Sequence, residues 1–201
     1  MKRAVALCAA GLVASCGTAP ADAPDATDAV EAPAQTPSPV ATSVAPLAAS
    51  GDSISCPSPE ETLFFCTMPR RRRLAVCAPE GGEPQYRFGE NVPELTIDGG
   101  EWGSAPYSGG GEGQIRFSNG MTDYIVFSRI VRTHFTEGEP NYPAIRDGVI
   151  IMRRGEVVAL RLCEGGQAET PVNFAVARRA MGEPGALFTD ETSRADNADH
   201  E

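Results

Sequence analysis

Two tight turns, each flanked by β-forming residues, constrain this chain more than any other feature. The first lies in SGGGEGQIRFSNGMTDYIVFSRIV, residues 108–131. Asn119-Gly120 tolerates the positive φ that a type I′ turn demands at both central positions. With those residues as the turn, Ser118 is expected opposite Met121, Phe117 opposite Thr122, Arg116 opposite Asp123 and Ile115 opposite Tyr124. Ile115, Phe117 and Tyr124 then share one face, and Arg116 and Asp123 form an opposite-charge pair on the other. The strand from Thr122 to Thr133 is rich in β-branched and aromatic residues, and its length predicts a bend or bulge. The second turn is Arg154-Gly155 in GVIIMRRGEVVALRLC, Gly148 to Cys163. It sets Arg153 opposite Glu156, Met152 opposite Val157 and Ile151 opposite Val158. Nearly every strand position there is apolar, as in central or closing strands of a barrel.

Shorter strand candidates come earlier: Thr62 to Cys66, Leu74 to Cys77, Gln85 to Phe88 and Glu94 to Ile97, punctuated by Pro84, Gly89, Pro93 and Gly99-Gly100. Trp102 and Tyr107 fall in a Gly/Pro-rich stretch read as a loop, where packing aromatics are commoner than ligand platforms. Gly109-Gly110-Gly111 with Gly113 is not a phosphate cradle, because a strand follows where a helix N-terminus is needed. A mobile loop or a close backbone approach at a sheet edge is the expectation. Pro171 to Met181 forms a short amphipathic helix, with Arg178-Arg179 at its C-terminal end and Gly182 as its stop. From Thr189 the chain is polar and acidic, which predicts a disordered tail.

The fold class that follows is all-β: a small antiparallel barrel or sandwich of about six to eight strands, with a short C-terminal helix. The β domain is placed at 53–165, and 166–201 holds the helix and acidic tail. Within 53–165, 12 arginines face 15 carboxylates, so the formal charge of -10 comes mostly from outside the domain and does not imply a cationic partner, and no nucleic-acid partner is expected. Four cysteines fall there: Cys56, Cys66, Cys77 and Cys163. An even count in an exported chain predicts two disulfides, each worth about 2–4 kcal/mol. Three pairings are open, and Cys66 and Cys77 are expected to approach one another across the first hairpin. A zinc site is disfavoured, since there is no CxxC pair and His134 and His200 lie near no cysteine in sequence.

The N-terminus reads as delivery. Lys2 and Arg3 precede a short apolar run from Ala4 to Ala14, too short to span a bilayer. Its end, Leu12-Val13-Ala14-Ser15-Cys16, resembles the lipobox of bacterial lipoproteins. The resemblance implies a signal peptide at 1–15 and a lipidated Cys16. Gly17 in place of Asp implies the outer membrane, facing the periplasm. Residues 17–52 are mostly Ala, Pro, Thr and Ser, with five acidic residues, no basic one and no aromatic. Such a stretch cannot offset its ordering entropy and reads as a tether (16–52 with the lipidated Cys), about 30–40 Å long as a coil.

The series LFFC, basic turn, LAVC, YRFG, PEL, SGGGE, IRFSNG, GVIIMRRGEVVALRLC resembles a family of small, uncharacterised bacterial exported proteins over residues 54–165. It departs from them where Arg71-Arg72 replaces a Gly-containing turn, and it implies no chemistry. The architecture is also similar to that of membrane-bound lysozyme inhibitors, lipid-anchored and disulfide-stapled, which present a Ser-Gly loop and a Lys-Gly turn to the lysozyme cleft. The nearest matches are Ser108-Gly109 and Arg154-Gly155, with Arg in place of Lys.

The candidate binding residues are therefore Arg70, Arg71, Arg72 and Arg73, which suit phosphate or carboxylate groups, together with Ser108, Gly109 and Arg154. A solvated turn is the blander reading of the arginine run. Glu137, Glu139 and His134 have no identifiable catalytic partner. No nucleophile elbow, HExxH or Cys-His pair is present, so no catalytic residue, cofactor or metal is expected. The functional expectation is a non-catalytic, membrane-anchored binding module for an envelope protein or glycan. Inhibition of an exogenous hydrolase such as lysozyme, and an envelope enzyme without a recognisable motif, are the alternatives.

Overall fold

A computed structural model describes residues 54–132, 138 and 142–200, with side chains as far as Asp196. Cys16, the tether, His134, Glu137 and Glu139 lie outside the described residues. Among the described residues, nine strands form two antiparallel meanders. Sheet A holds β1 (Glu61–Met68), β2 (Arg72–Ala78), β3 (Gln85–Gly89) and β4 (Pro93–Asp98). Sheet B holds β5 (Glu101–Tyr107), β6 (Gly110–Asn119), β7 (Thr122–Arg132), β8 (Pro143–Arg153) and β9 (Glu156–Leu162). The sheets do not close into a barrel; they stack as a sandwich. Nine strands rather than six to eight result because the stretch around Trp102 is itself a strand, β5, and the Gly run opens β6.

Period-2 alternation explains the stacking. Phe64, Leu74, Val76, Tyr86 and Ile97 of sheet A meet Trp102, Ile115, Phe117, Val126 and Val149 of sheet B in one core. Tyr86 sits at its centre, with its ring 5.5 Å from those of Phe117 and Tyr124. Burial pushes its phenol far above the ordinary tyrosine range.

The two signature hairpins form, with different outcomes. Arg154 (φ 54°) and Gly155 (φ 81°) make the type I′ turn, and Arg153 faces Glu156 and Met152 faces Val157. Beyond them a register shift sets Ile151 against Ala159 instead of Val158. In the other hairpin Asn119 pairs with Thr122, so the central residues are Gly120 and Met121 and only Gly120 takes a positive φ (62°). That is the type II′ arrangement, with Gly first. Every partner moves by two positions: Phe117 faces Tyr124, Arg116 faces Ile125 and Ser118 faces Asp123. A shift of two preserves the side-chain period, so Ile115, Phe117 and Tyr124 still share the core face. Arg116 instead pairs with Glu101 on β5. β7 keeps unbroken pairing on both sides and has no bulge.

The glycines of β5 and β6 mark close approach rather than mobility. A Cβ at Gly113 would stand 2.3 Å from the Phe174 ring, and one at Gly103 2.1 Å from the Ala186 carbonyl. The chain passes from one sheet to the other at Gly99 (φ 89°) and Gly100 (φ 108°).

The cysteines pair as Cys56–Cys77 and Cys66–Cys163. Cys66 and Cys77 do not approach each other, because the register sets Leu74 opposite Cys66 and Thr62 opposite Cys77. The two sulfurs point to opposite faces. Cys66 lies in the core between the sheets, and Cys77 packs with Ile54 and Ala75 on the outer face of sheet A.

The C-terminal region belongs to the domain. Thr170 exchanges backbone hydrogen bonds with Phe65 of edge strand β1, at 2.9 and 3.0 Å. The helix α1 (Phe174–Met181) is capped by Asn173, whose side chain accepts from the Ala175 and Val176 N–H groups, and it ends at Gly182. It buries Val176 and Ala177. Gly185 then bridges to β5, its N–H donating to the Trp102 carbonyl at 3.0 Å. The last segment, expected to be disordered, crosses the outer face of sheet B as a 3-10 helix, Glu191–His200, and buries Thr192 and Ala195.

Gly100→Ala adds a Cβ 2.9 Å from Phe117 at a φ that L-residues avoid. It is expected to cost about 2–3 kcal/mol of unfolding free energy in urea titration. Gly120→Ala, with open space around the new methyl, costs only the backbone term of about 1–2 kcal/mol.

Candidate binding site

The arginine run forms the tip of the β1–β2 hairpin. Pro69–Arg71 make a single 3-10 turn, and Arg70 (φ 63°) and Arg71 (φ 61°) both stand in the left-handed region. L-residues other than Asn, Asp and Gly avoid that region at about 1–2 kcal/mol each. The backbone at Arg70 and Arg71 adopts the conformation that a Gly would suit.

The four arginines divide by partner. Arg72 is half-buried, bonds Glu94 at 2.6 Å and lies over the Phe88 ring at 4.7 Å. Arg70, Arg71 and Arg73 are exposed, and no ion pair joins them to a carboxylate among the described residues. The β3–β4 turn lies alongside, since Arg73 pairs with Gly89, and it carries Val92 at 61% exposure. One end of sheet A thus presents three uncommitted guanidinium groups beside an apolar side chain. Glu90, on the same neighbouring turn, makes no ion pair with them among the described residues.

Ser108 and Gly109 form the β5–β6 turn, and Gly109 (φ 80°) backs onto the Arg132 guanidinium. Arg154 lies at the β8–β9 turn, where its Nε contacts Met121 Sδ at 3.4 Å. β6 leads away from the first turn to the Gly120-Met121 turn beside Arg154. Its ten residues separate the two ends by about 30 Å. Ser108 and Arg154 therefore do not share one contact surface, and neither lies on sheet A with the arginine tip.

The buried polar groups were not legible in the sequence. On the outer face of sheet A, Arg87 makes a bidentate pair with Glu60 (2.7 and 2.8 Å) and holds the Ser55 carbonyl at 3.1 Å. Cys56, Glu60 and Cys77 converge there, but the sulfurs are joined to each other and the carboxylate is taken by Arg87, so the group offers no metal ligand set. On the outer face of sheet B, Glu112 is fully buried and accepts from Tyr107, Gln114 and Thr192. Gln114 also bonds the Thr189 carbonyl at 2.9 Å and accepts the Phe188 N–H at 2.8 Å. Arg129 reaches Asp196 at 2.8 Å. These groups hold the C-terminal segment to the sheet. Asp147, inside the sandwich, accepts the Ala168 N–H at 2.8 Å, and burial raises its carboxyl pKa. Trp102 is buried, with its indole N–H on the Gly182 carbonyl at 2.9 Å, and lines a shallow open groove with Met181, Glu183 and Leu187. Alternation signals which strand positions face inward; it does not signal that an outward Glu or Arg will be covered by a segment some 75 residues away.

No family model, curated protein or solved structure matches this chain.

Burial, and then the hydrogen bond to Glu112, push the Tyr107 phenol up to about 12. A raised folded-state pKa contributes stability that is full below the ordinary tyrosine pKa near 10 and is lost as pH rises through 12. Wild type is expected to exceed Tyr107→Phe in melting temperature at pH 9, and this advantage should shrink steadily towards pH 12.

Proposed function

We propose that this protein is a lipid-anchored binding module of the bacterial cell envelope, non-catalytic, with the Arg70–Arg73 turn as its contact surface. The observation that carries the reading is the pair of left-handed arginines at an exposed tip, with Arg70, Arg71 and Arg73 free of ion pairs among the described residues. Backbone strain at a place with no packing role is how a functional surface presents itself. The guanidinium fork suits phosphate and carboxylate groups of an envelope ligand.

Other features fit this reading. Two disulfides are compatible with an oxidising compartment. The lipobox-like end at Cys16, followed by a stretch of tether composition, suits attachment to the outer membrane with the domain in the periplasm. The buried carboxylates Glu60 and Glu112 are saturated by structural partners, which suits a binder better than an acid/base catalyst.

An envelope extract passed over immobilised chain Pro46–Glu201, the compact unit that contains every described element, is expected to yield one saturable anionic or acidic partner. Capture should fall at least ten-fold for Arg71→Gly/Arg73→Ser and be unchanged for Ser108→Ala. Equal capture by wild type and the arginine variant would remove the turn as the contact.

A further inference from the structure

We propose that the Arg70–Arg73 turn docks onto the phosphate layer of an anionic bilayer, which gives the domain a second, reversible attachment to the membrane. This rests on the reading of the turn as the contact surface and names its ligand.

The shape of the tip selects the ligand. Pro69, Arg70, Arg71 and Arg73 are exposed, and Arg72 is pulled back by Glu94 and Phe88. A single phosphate held by these exposed side chains would remain largely hydrated. A planar array of phosphates instead meets the three cations together, and the second and third contacts are made at high effective concentration. Val92, on the adjacent turn and 61% exposed, supplies an apolar side chain beside them. Cations beside an exposed aliphatic residue match the boundary between headgroups and acyl chains. A Gly at either left-handed position would relieve the backbone and remove one of these contacts.

Ile54 packs with Ala75 and Cys77 on the outer face of sheet A, about 10–17 Å along the strand that starts at the arginine turn. With the lipid proposed at Cys16, a coil of the 36 residues 17–52 would span about 30–40 Å, which would leave the turn within reach of the same bilayer. One lipid signal joined by a basic patch is the combination that holds a protein to a surface firmly and still lets the patch release.

Three forms of chain Pro46–Glu201, with disulfides formed, test this by co-sedimentation with phosphatidylcholine vesicles containing or lacking phosphatidylglycerol. Arg70→Gly/Arg71→Gly keeps the turn geometry, because Gly accepts both φ values, and its melting temperature is expected to rise. Each surface arginine contributes roughly five-fold to partition onto an anionic membrane, so this variant should bind about 25-fold more weakly. Arg153→Gln/Arg161→Gln removes the same charge from sheet B and should bind like wild type. Wild-type binding should weaken sharply between low and high salt and vanish on neutral vesicles.

Absence of wild-type binding to anionic vesicles overturns the bilayer assignment, while a captured soluble anion or acidic partner would leave the broader binding reading standing. Full displacement by millimolar inorganic phosphate would show a single-phosphate site and also overturn it. Equal loss in both arginine variants would reduce the effect to net charge and remove the turn.

Discussion

The sandwich depends on keeping two independent meanders face to face. Each sheet is built only from sequential neighbours, so nothing in the hydrogen bonding of one refers to the other. The shared core joins them, and with it the Gly99-Gly100 crossing, the aromatic contact of Tyr86 with Phe117 and Tyr124, and the Cys66–Cys163 bond. The bond ties residues 97 apart, a closure worth about 4–5 kcal/mol in chain-entropy terms. It is placed where the meander topology is weakest, between the first strand of sheet A and the end of the last strand of sheet B.

The C-terminal region completes what the two sheets leave open. Residues around Thr170 pair with edge strand β1, and Gly185 pairs with edge strand β5, so an edge of each sheet is covered by the chain's own continuation. The final segment then lies over the outer apolar face formed by Ile125, Phe127 and Ile150. The domain is therefore larger than its strand-forming region, and the polar composition of the segment is misleading taken alone. Its affinity for the sheet comes from Gln114 and Arg129 reading its backbone and from Glu112 receiving Thr192.

How much was legible follows from which forces are local. Most strands, the Arg154-Gly155 turn and the Gly182 helix stop are local, and they read directly from period and turn chemistry, whereas β5 reads as a loop and the helix starts at Phe174 behind the Asn173 cap, not at Pro171. Facing also read correctly: Ile115, Phe117 and Tyr124 share the core because a two-position slip leaves parity intact. The identity of the Asn-Gly turn did not, since Gly at the first central position satisfies type II′ as well as Gly at the second satisfies type I′. The disulfide pairing was hidden because parity across a hairpin depends on loop length, and the Pro69–Arg71 turn puts Cys66 and Cys77 on opposite faces. For the candidate site, the arginine run was visible as charge. Its division into one committed and three uncommitted side chains needed the β3–β4 turn to be seen beside it.

The Cys56–Cys77 bond has a mechanical consequence. Any pull arriving from the N-terminal side of the domain first meets a covalent tie to the sheet at Cys56, before edge strand β1 begins. Without the bond, such a load would unzip β1 from its single sheet neighbour one hydrogen bond at a time. With it, the load passes through sulfur into β2, an interior strand paired on both sides, and breaking that strand free requires many bonds to fail in shear at once. The covalent link thus serves as a strain relief at the point where the cable meets the housing.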